Sequence, residues 1–188
     1  MNRLKANCLL AVWLVLITHP LNGDAARQEL LPAPPGDSAL VYYLNNNQLA
    51  ALPFERGQSS FKFDAPAKQT RTGFIELKGE HAATSLMEDI PRLFVFTSKQ
   101  PGSHPPFLVM LTVRHGARRV TAVAQQGLAG FAIDSNEIIK PNVRVIAPAG
   151  EQVFMEIRPR ISLMPGEYAI IGDNLARIAT FRVVTARQ

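Results

Sequence analysis

Alternation with a period of two, broken at short intervals by Gly, Pro and Asn, narrows the fold of this chain more than any other feature. In "FLVMLTVRHGARRVTAVAQQ", residues 107–126, Val109, Leu111 and Val113 fall on one side of a pleat and Leu108, Met110 and Thr112 on the other. His115-Gly116 interrupts the run, after which Val120, Ala122 and Ala124 resume the period. The pattern predicts a β-hairpin with a basic tip. "LVYYLNNNQLAALPFE" repeats it nearer the start, with Leu40 to Leu44 and Gln48 to Leu52 flanking three asparagines. Asparagine tolerates left-handed backbone angles, so Asn45 to Asn47 suit the turn.

Further strands are expected at 60–64, 73–77, 93–97, 142–147, 152–158, 167–171 and 178–184. Runs of this length, separated by turn residues every 8 to 15 positions, predict an all-β fold, an antiparallel β-sandwich of the immunoglobulin-like or a related kind. "EHAATSLMEDI", residues 80–90, is the one segment that suits a short helix, ended before Pro91. The alternating Phe61, Phe63, Phe94 and Phe96 are expected to fill a sheet's inner face.

The first residues carry a different signal. Arg3 and Lys5 precede an apolar run from Ala6 to Ile17 and then a segment of small residues, the order of a secretory signal peptide. That run has about 12 residues where a spanning helix needs about 20, and Pro20 with Asn22-Gly23-Asp24 follows closely. Cleavage is expected after Ala25, with Gly23 at the −3 position, leaving no transmembrane helix in the mature chain and a periplasmic or extracellular destination. Cys8, the only cysteine, departs with residues 1–25, so the exported chain folds without a disulfide. Cys8 also stands at the beginning of the apolar run, where a lipoprotein's acylated cysteine would follow its end. Loss of Arg3, Lys5 and Asp24 takes the net charge from +5 to +4, a mild balance that signals solubility more than a polyanionic partner. Residues 26–38, with Pro32, Pro34, Pro35 and Gly36, suit a mobile, extended tether. The β-domain is then expected over 39–188, opening with a hairpin at 39–56.

In "ISLMPGEYAIIGD", residues 161–173, Pro165-Gly166 fits the centre of a type II turn, with the glycine at positive φ. Tyr168 follows as a tyrosine corner, its ring buried and its hydroxyl on a nearby backbone group. On this reading Glu167 is a solvated turn residue, since no second titrating group lies near it in sequence. The hairpin "LTVRHGARRVTAV", the run "LMPGEYAI" and the last strand "ATFRVV" resemble an uncharacterised family of secreted bacterial proteins with a C-terminal L-x-P-G-E-Y-A-x signature. The early "VYYLNNNQLAALPFE" is similar to the hairpin with which those proteins open, so the resemblance covers 40–56 and 107–184. It implies a β-rich exported domain and supplies no catalytic residue. Those relatives are glycine-rich between the halves, whereas "QQGLAGFAIDS" keeps only Gly127 and Gly130.

The motifs that would carry catalysis lack their context. "GDSAL", residues 36–40, imitates an esterase block, but "LPAPP" before Ser38 cannot be a buried strand and no histidine follows His115. There is no G-x-S-x-G. His81, His104 and His115 stand far apart, without the short spacing of zinc ligands, and the aspartates form no calcium loop. No cofactor, metal or catalytic residue is therefore assigned. Arg114, Arg118 and Arg119 around the hairpin tip, with Arg158 and Arg160, are the candidate contacts for an anionic partner, an envelope protein or polymer. Their structural role would be to keep a sheet edge soluble. Modest charge without aromatic-basic interleaving argues against nucleic acid. The expectation is an exported, non-catalytic binding or structural accessory module of the bacterial cell envelope. The alternative is an enzyme whose site assembles only in three dimensions, for which Glu167, His115 and Arg119 are the candidates.

Overall fold

The computed structural model describes residues 31–62, 70–100, 105–125 and 131–185, with no helix among them. The leader, its cleavage point after Ala25, tether residues 26–30, Phe63, His104, Gly127 and Gly130 lie outside the described residues.

The strands in chain order are β1 (Tyr42–Asn45), β2 (Gln48–Ala51), β3 (Phe54–Glu55), β4 (Gln58–Lys62), β5 (Thr70–Lys78), β6 (Ser85–Leu86) and β7 (Leu93–Ser98). They continue as β8 (Phe107–Arg114), β9 (Ala117–Gln125), β10 (Ala132–Ile133), β11 (Pro141–Ala149), β12 (Gln152–Pro159), β13 (Gly166–Ile171) and β14 (Ile178–Val183). One sheet has the order β11-β12-β7-β1-β2. The other runs β3-β14-β13-β8-β9-β5-β4, with β10 on β9 and β6 on β14. The second sheet curls, and the first packs on it as a β-sandwich-like, all-β arrangement of antiparallel sheets. Among the described residues only the two-residue β6 pairs in parallel, against β14 at Arg182 and Val183.

The turns follow from residue type. Asn46 (φ 48°) and Asn47 (φ 63°) sit between the paired Asn45 and Gln48, and His115 (φ 53°) with Gly116 (φ 76°) between the paired Arg114 and Ala117. Two successive positive angles make a type I′ hairpin, whose twist matches that of the strands it joins.

Alternation distributes the apolar side chains into three clusters. Leu93, Val95 and Ile157 of the first sheet meet Leu108, Tyr168, Ile170 and Phe181 of the second in the main core between the layers. On the opposite face of the curled sheet, Ile75 and Leu77 of β5, Val109 and Leu111 of β8, Val120 of β9 and Ala169 and Ile171 of β13 close the concave side. Strand β13 is thus apolar on both faces, which identifies it as central. The outer face of the first sheet carries Tyr42, Phe94 and Phe154, with the two phenylalanine rings 5.6 Å apart and Phe96 against Phe154 at 4.9 Å. Phe94 and Phe96 therefore fill the outer face of their sheet, where an inner face was expected.

Two expectations are corrected here. Residues 80–90 form no helix: the backbone N–H of Arg182 donates to Thr84 O and that of Val184 to Leu86 O, so the segment pairs with the edge of β14. An isolated eleven-residue helix is marginal because nucleation is costly, while β14 offers unpaired carbonyl and amide groups at once. Pro165-Gly166 is not a type II turn either. Among the described residues only Gly79, Gly116 and Gly150 are glycines with positive φ, and Gly166 already pairs with Val183 as the first residue of β13. A Cβ at Gly166 would meet only ordinary contacts, the nearest Tyr168 at 3.7 Å.

The tether ends pinned to the fold. Tyr42 donates its hydroxyl to Asp37 O at 2.7 Å and Arg177 donates to Ala39 O. Residues 31–41 carry no strand.

Candidate functional site

Glu167 lies on the same side of β13 as Ala169 and Ile171, so the sheet's own pleat turns its side chain inward. Its side chain is 4% exposed, which overturns its assignment as a solvated turn residue. A carboxylate buried this far needs acceptor-matched donors, and both oxygens have them. Oε2 accepts from the backbone N–H of Ala82 at 2.8 Å, and Oε1 stands 3.0 Å from His81 Nδ1. Arg182, opposite Glu167 on β14, brings Nε to 3.8 Å of the same Oε1. The second titrating group exists after all, supplied from 86 residues away.

His81 itself is 60% exposed. With Nδ1 tied to the carboxylate, its ring is fixed and Nε2 is left as the available nitrogen. It lines a recess of about 1070 Å³ together with Glu167, Arg182 and Thr185. The rest of the lining is mainly apolar: Met87, Met110 and Met164, with Leu111, Val113 and Pro165 among the others. Met87 and Met164 are more than two-thirds exposed and Met110 and Val113 nearly half. The recess opens because β8 parts company with β13: their register ends at Leu111 opposite Glu167, and from Thr112 onward β8 pairs with β9 instead.

Beside the recess, Tyr168 points the other way. It stacks on Phe181 with centroids 5.5 Å apart and donates its hydroxyl to Met164 O at 2.6 Å, four residues upstream. Burial pushes its phenol above the ordinary tyrosine value. The bond anchors the backbone of Met164 at the recess rim.

The five arginines do not form one basic surface. Arg118 is 1% exposed and lies inside the curled sheet, donating to Gly79 O, Lys78 O and both oxygens of Glu55. It is spent on the fold and unavailable to a partner. Arg119, on the opposite side of β9, pairs with Glu76 at 2.6 Å and lies over the ring of Phe74. Arg114 is exposed at the hairpin tip. Arg158 and Arg160 belong to the end of the other sheet and the bend after it, with Arg160 donating to Pro141 O. Nor are Glu167, His115 and Arg119 gathered, since neither His115 nor Arg119 lines the recess that Glu167 enters.

A second concavity of about 750 Å³ opens at an end of the sandwich, lined among others by Phe96, Thr97, Gln152, Asn174 and Arg177. Arg177 is engaged there by Ala39 O and covers the Phe54 ring at 4.8 Å. Among the described residues lining it, the Thr97 hydroxyl is buried without a hydrogen-bond partner.

Among the described residues no three His, Cys, Asp or Glu side chains gather as metal ligands, and no helix is long and apolar enough to cross a membrane. Searches of protein-family models, curated proteins and solved structures return no match to this chain.

Proposed function

We propose that the mature chain is an exported, non-catalytic binding module of the cell envelope, and that it takes its ligand at the recess around His81. The observation that carries this reading is the union, at one place, of a saturated buried carboxylate, a fixed imidazole and a solvent-exposed apolar rim. Side chains as large as Met87 and Met164 are exposed there, and contiguous exposed apolar surface marks an interaction site. The leader-like first residues and the resemblance to secreted proteins support the envelope as its place of work. The basic side chains fit this role less well than they did in sequence, since Arg118 is internal and Arg119 is paired.

Retention in the envelope fraction tests it. Met87→Glu with Met164→Glu should release the protein several-fold while its circular dichroism is unchanged. Equal retention would sink the recess, and release only on reversing Arg158 and Arg160 to Glu would transfer the role to an anionic-polymer surface.

A second reading draws on one observation, the orientation of His81 by Glu167, which is how a general base is held. Hydrolysis of a fluorogenic ester that disappears in His81→Ala would replace binding by catalysis.

A further inference from the structure

We infer that the recess is a binding site for a soft monovalent metal ion, copper(I) or silver(I), held by His81 Nε2 and the thioethers of Met87 and Met164. The inference rests on the binding reading above and names the ligand class of that same site.

Three of the five methionines in the chain line this one recess. Burial cannot explain Met87 and Met164, which are 68% and 69% exposed; Met110, paired with Tyr168, lies on the opposite face of the sheet from Glu167 and contributes only to the rim. Met155, by contrast, is packed against the main core. Thioethers are weak donors to hard cations and select copper(I) among the biological metals. Imidazole suits the same ion, and a metal-bound histidine characteristically gives its other ring N–H to a carboxylate, which fixes the ring orientation and tautomer. Glu167 does this for His81 at 3.0 Å, and the Ala82 N–H occupies its second oxygen, so it acts as a positioning residue and not as a ligand.

Charge selects valence. The ligands so named, an imidazole and two thioethers, bind as neutral groups, and the Glu167 carboxylate behind His81 faces the Ala82 N–H and Arg182. Hard divalent cations take oxygen ligands, while a soft singly charged ion is suited by a neutral set of imidazole and thioether. The gathering was invisible to a search for zinc-like spacing because methionine is not a zinc ligand.

Silver(I), which is not oxidised by air, is the probe. Titrated into the purified mature protein, it should bind at one equivalent and shift the methyl resonances of Met87 and Met164 while leaving Met155 in place. Replacing Met87 and Met164 together by Leu, which keeps volume and apolarity, should abolish saturable binding. His81→Ala should weaken it at least tenfold, and Glu167→Gln should weaken it less than His81→Ala does. Copper(I) competed against a chromogenic chelator should follow the same order, and zinc(II) should not bind. Methyl shifts confined to Met155, or silver affinity unchanged in His81→Ala, would overturn the metal site. If the silver result fails while the paired Glu substitutions at 87 and 164 still release the protein from the envelope, the binding module stands and only its ligand class is wrong.

Discussion

Arg118 with Glu55 and His81 with Glu167 are both pairs of a nitrogen base and a carboxylate on the curled sheet, and they differ in which member is covered. In the first pair the guanidinium is 1% exposed and the carboxylate 27%; in the second the carboxylate is 4% exposed and the imidazole 60%. Every polar atom of the Arg118 side chain finds a protein acceptor, and Glu55 is further occupied by the hydroxyl of Thr180. Nothing is left to offer a ligand. Around Glu167 only the buried member is saturated, and the exposed member keeps a donor atom free while its orientation is set from below. A closed pair fixes the fold; an open pair of the same chemistry makes a site.

The sharpest way to break the comparison is Arg118→Met. It strands Glu55 and the carbonyls of Lys78 and Gly79, and removing one partner of a buried pair costs about 3 to 5 kcal/mol. Urea denaturation should show this, and a loss under about 1 kcal/mol would put Arg118 on the same footing as the open pair. Glu167→Ala comes next, at about 1 to 3 kcal/mol, because the Ala82 N–H loses its acceptor inside the fold. Amide exchange should accelerate across 79–89, the segment that Glu167 holds; uniform exchange throughout would show that the segment is held elsewhere.

Tyr168→Phe should cost about 1 kcal/mol through the bond to Met164 O. It should also blunt alkaline unfolding. Burial raises the folded-state values of Tyr168 and of Tyr42, the latter with a smaller contribution from Asp37. The unfolded chain therefore gives up phenolic protons first, and stability falls as pH climbs past about 10, the ordinary tyrosine value. Below that range both states keep the proton and these groups add no pH dependence. A stability curve that is flat from pH 9 to 11 would remove the tyrosines from the account. A smaller effect than Glu167→Ala is expected for His81→Ala, about 0.5 to 1 kcal/mol, because the truncation opens Glu167 Oε1 to water while the Ala82 N–H stays paired. If its thermal stability drops as far as that of Glu167→Ala, the imidazole is structural and the contrast between open and closed pairs collapses.

Much of this was written in the alternation, including parts that pairwise thinking about neighbours passes over. The strands at 42–51 and 107–125 follow the period of two, whereas β11 breaks it between Val145 and Ala147 and β13 is buried on both faces; the asparagine and His-Gly turns follow from the need for positive φ. The same period places Arg118 in phase with Val120 and Ala122, hence inside, and Arg119 out of phase, hence outside. It also places Glu167 in phase with Ala169 and Ile171 of a strand that is apolar on both faces, which is enough to bury it. What no local pattern supplies is the partner. His81 lies in a segment whose composition suits a helix, and it reaches Glu167 only because that segment adds to the edge of β14. The methionine rim is equally non-local, with one residue from the 87 region, one from β8 and one from the approach to β13.

Strand β14 lies between β13 and a two-residue strand near the start of the described chain, with β6 alongside. Its six residues put Phe181 into the main core and Ile178 into the concave one. Neither of these two cores can close before residues 178–183 arrive, so assembly waits on contacts of long sequence separation. A polypeptide terminated early would meet the proteases of its compartment with both interiors ajar and be cleared. In this way one short segment decides between survival and turnover.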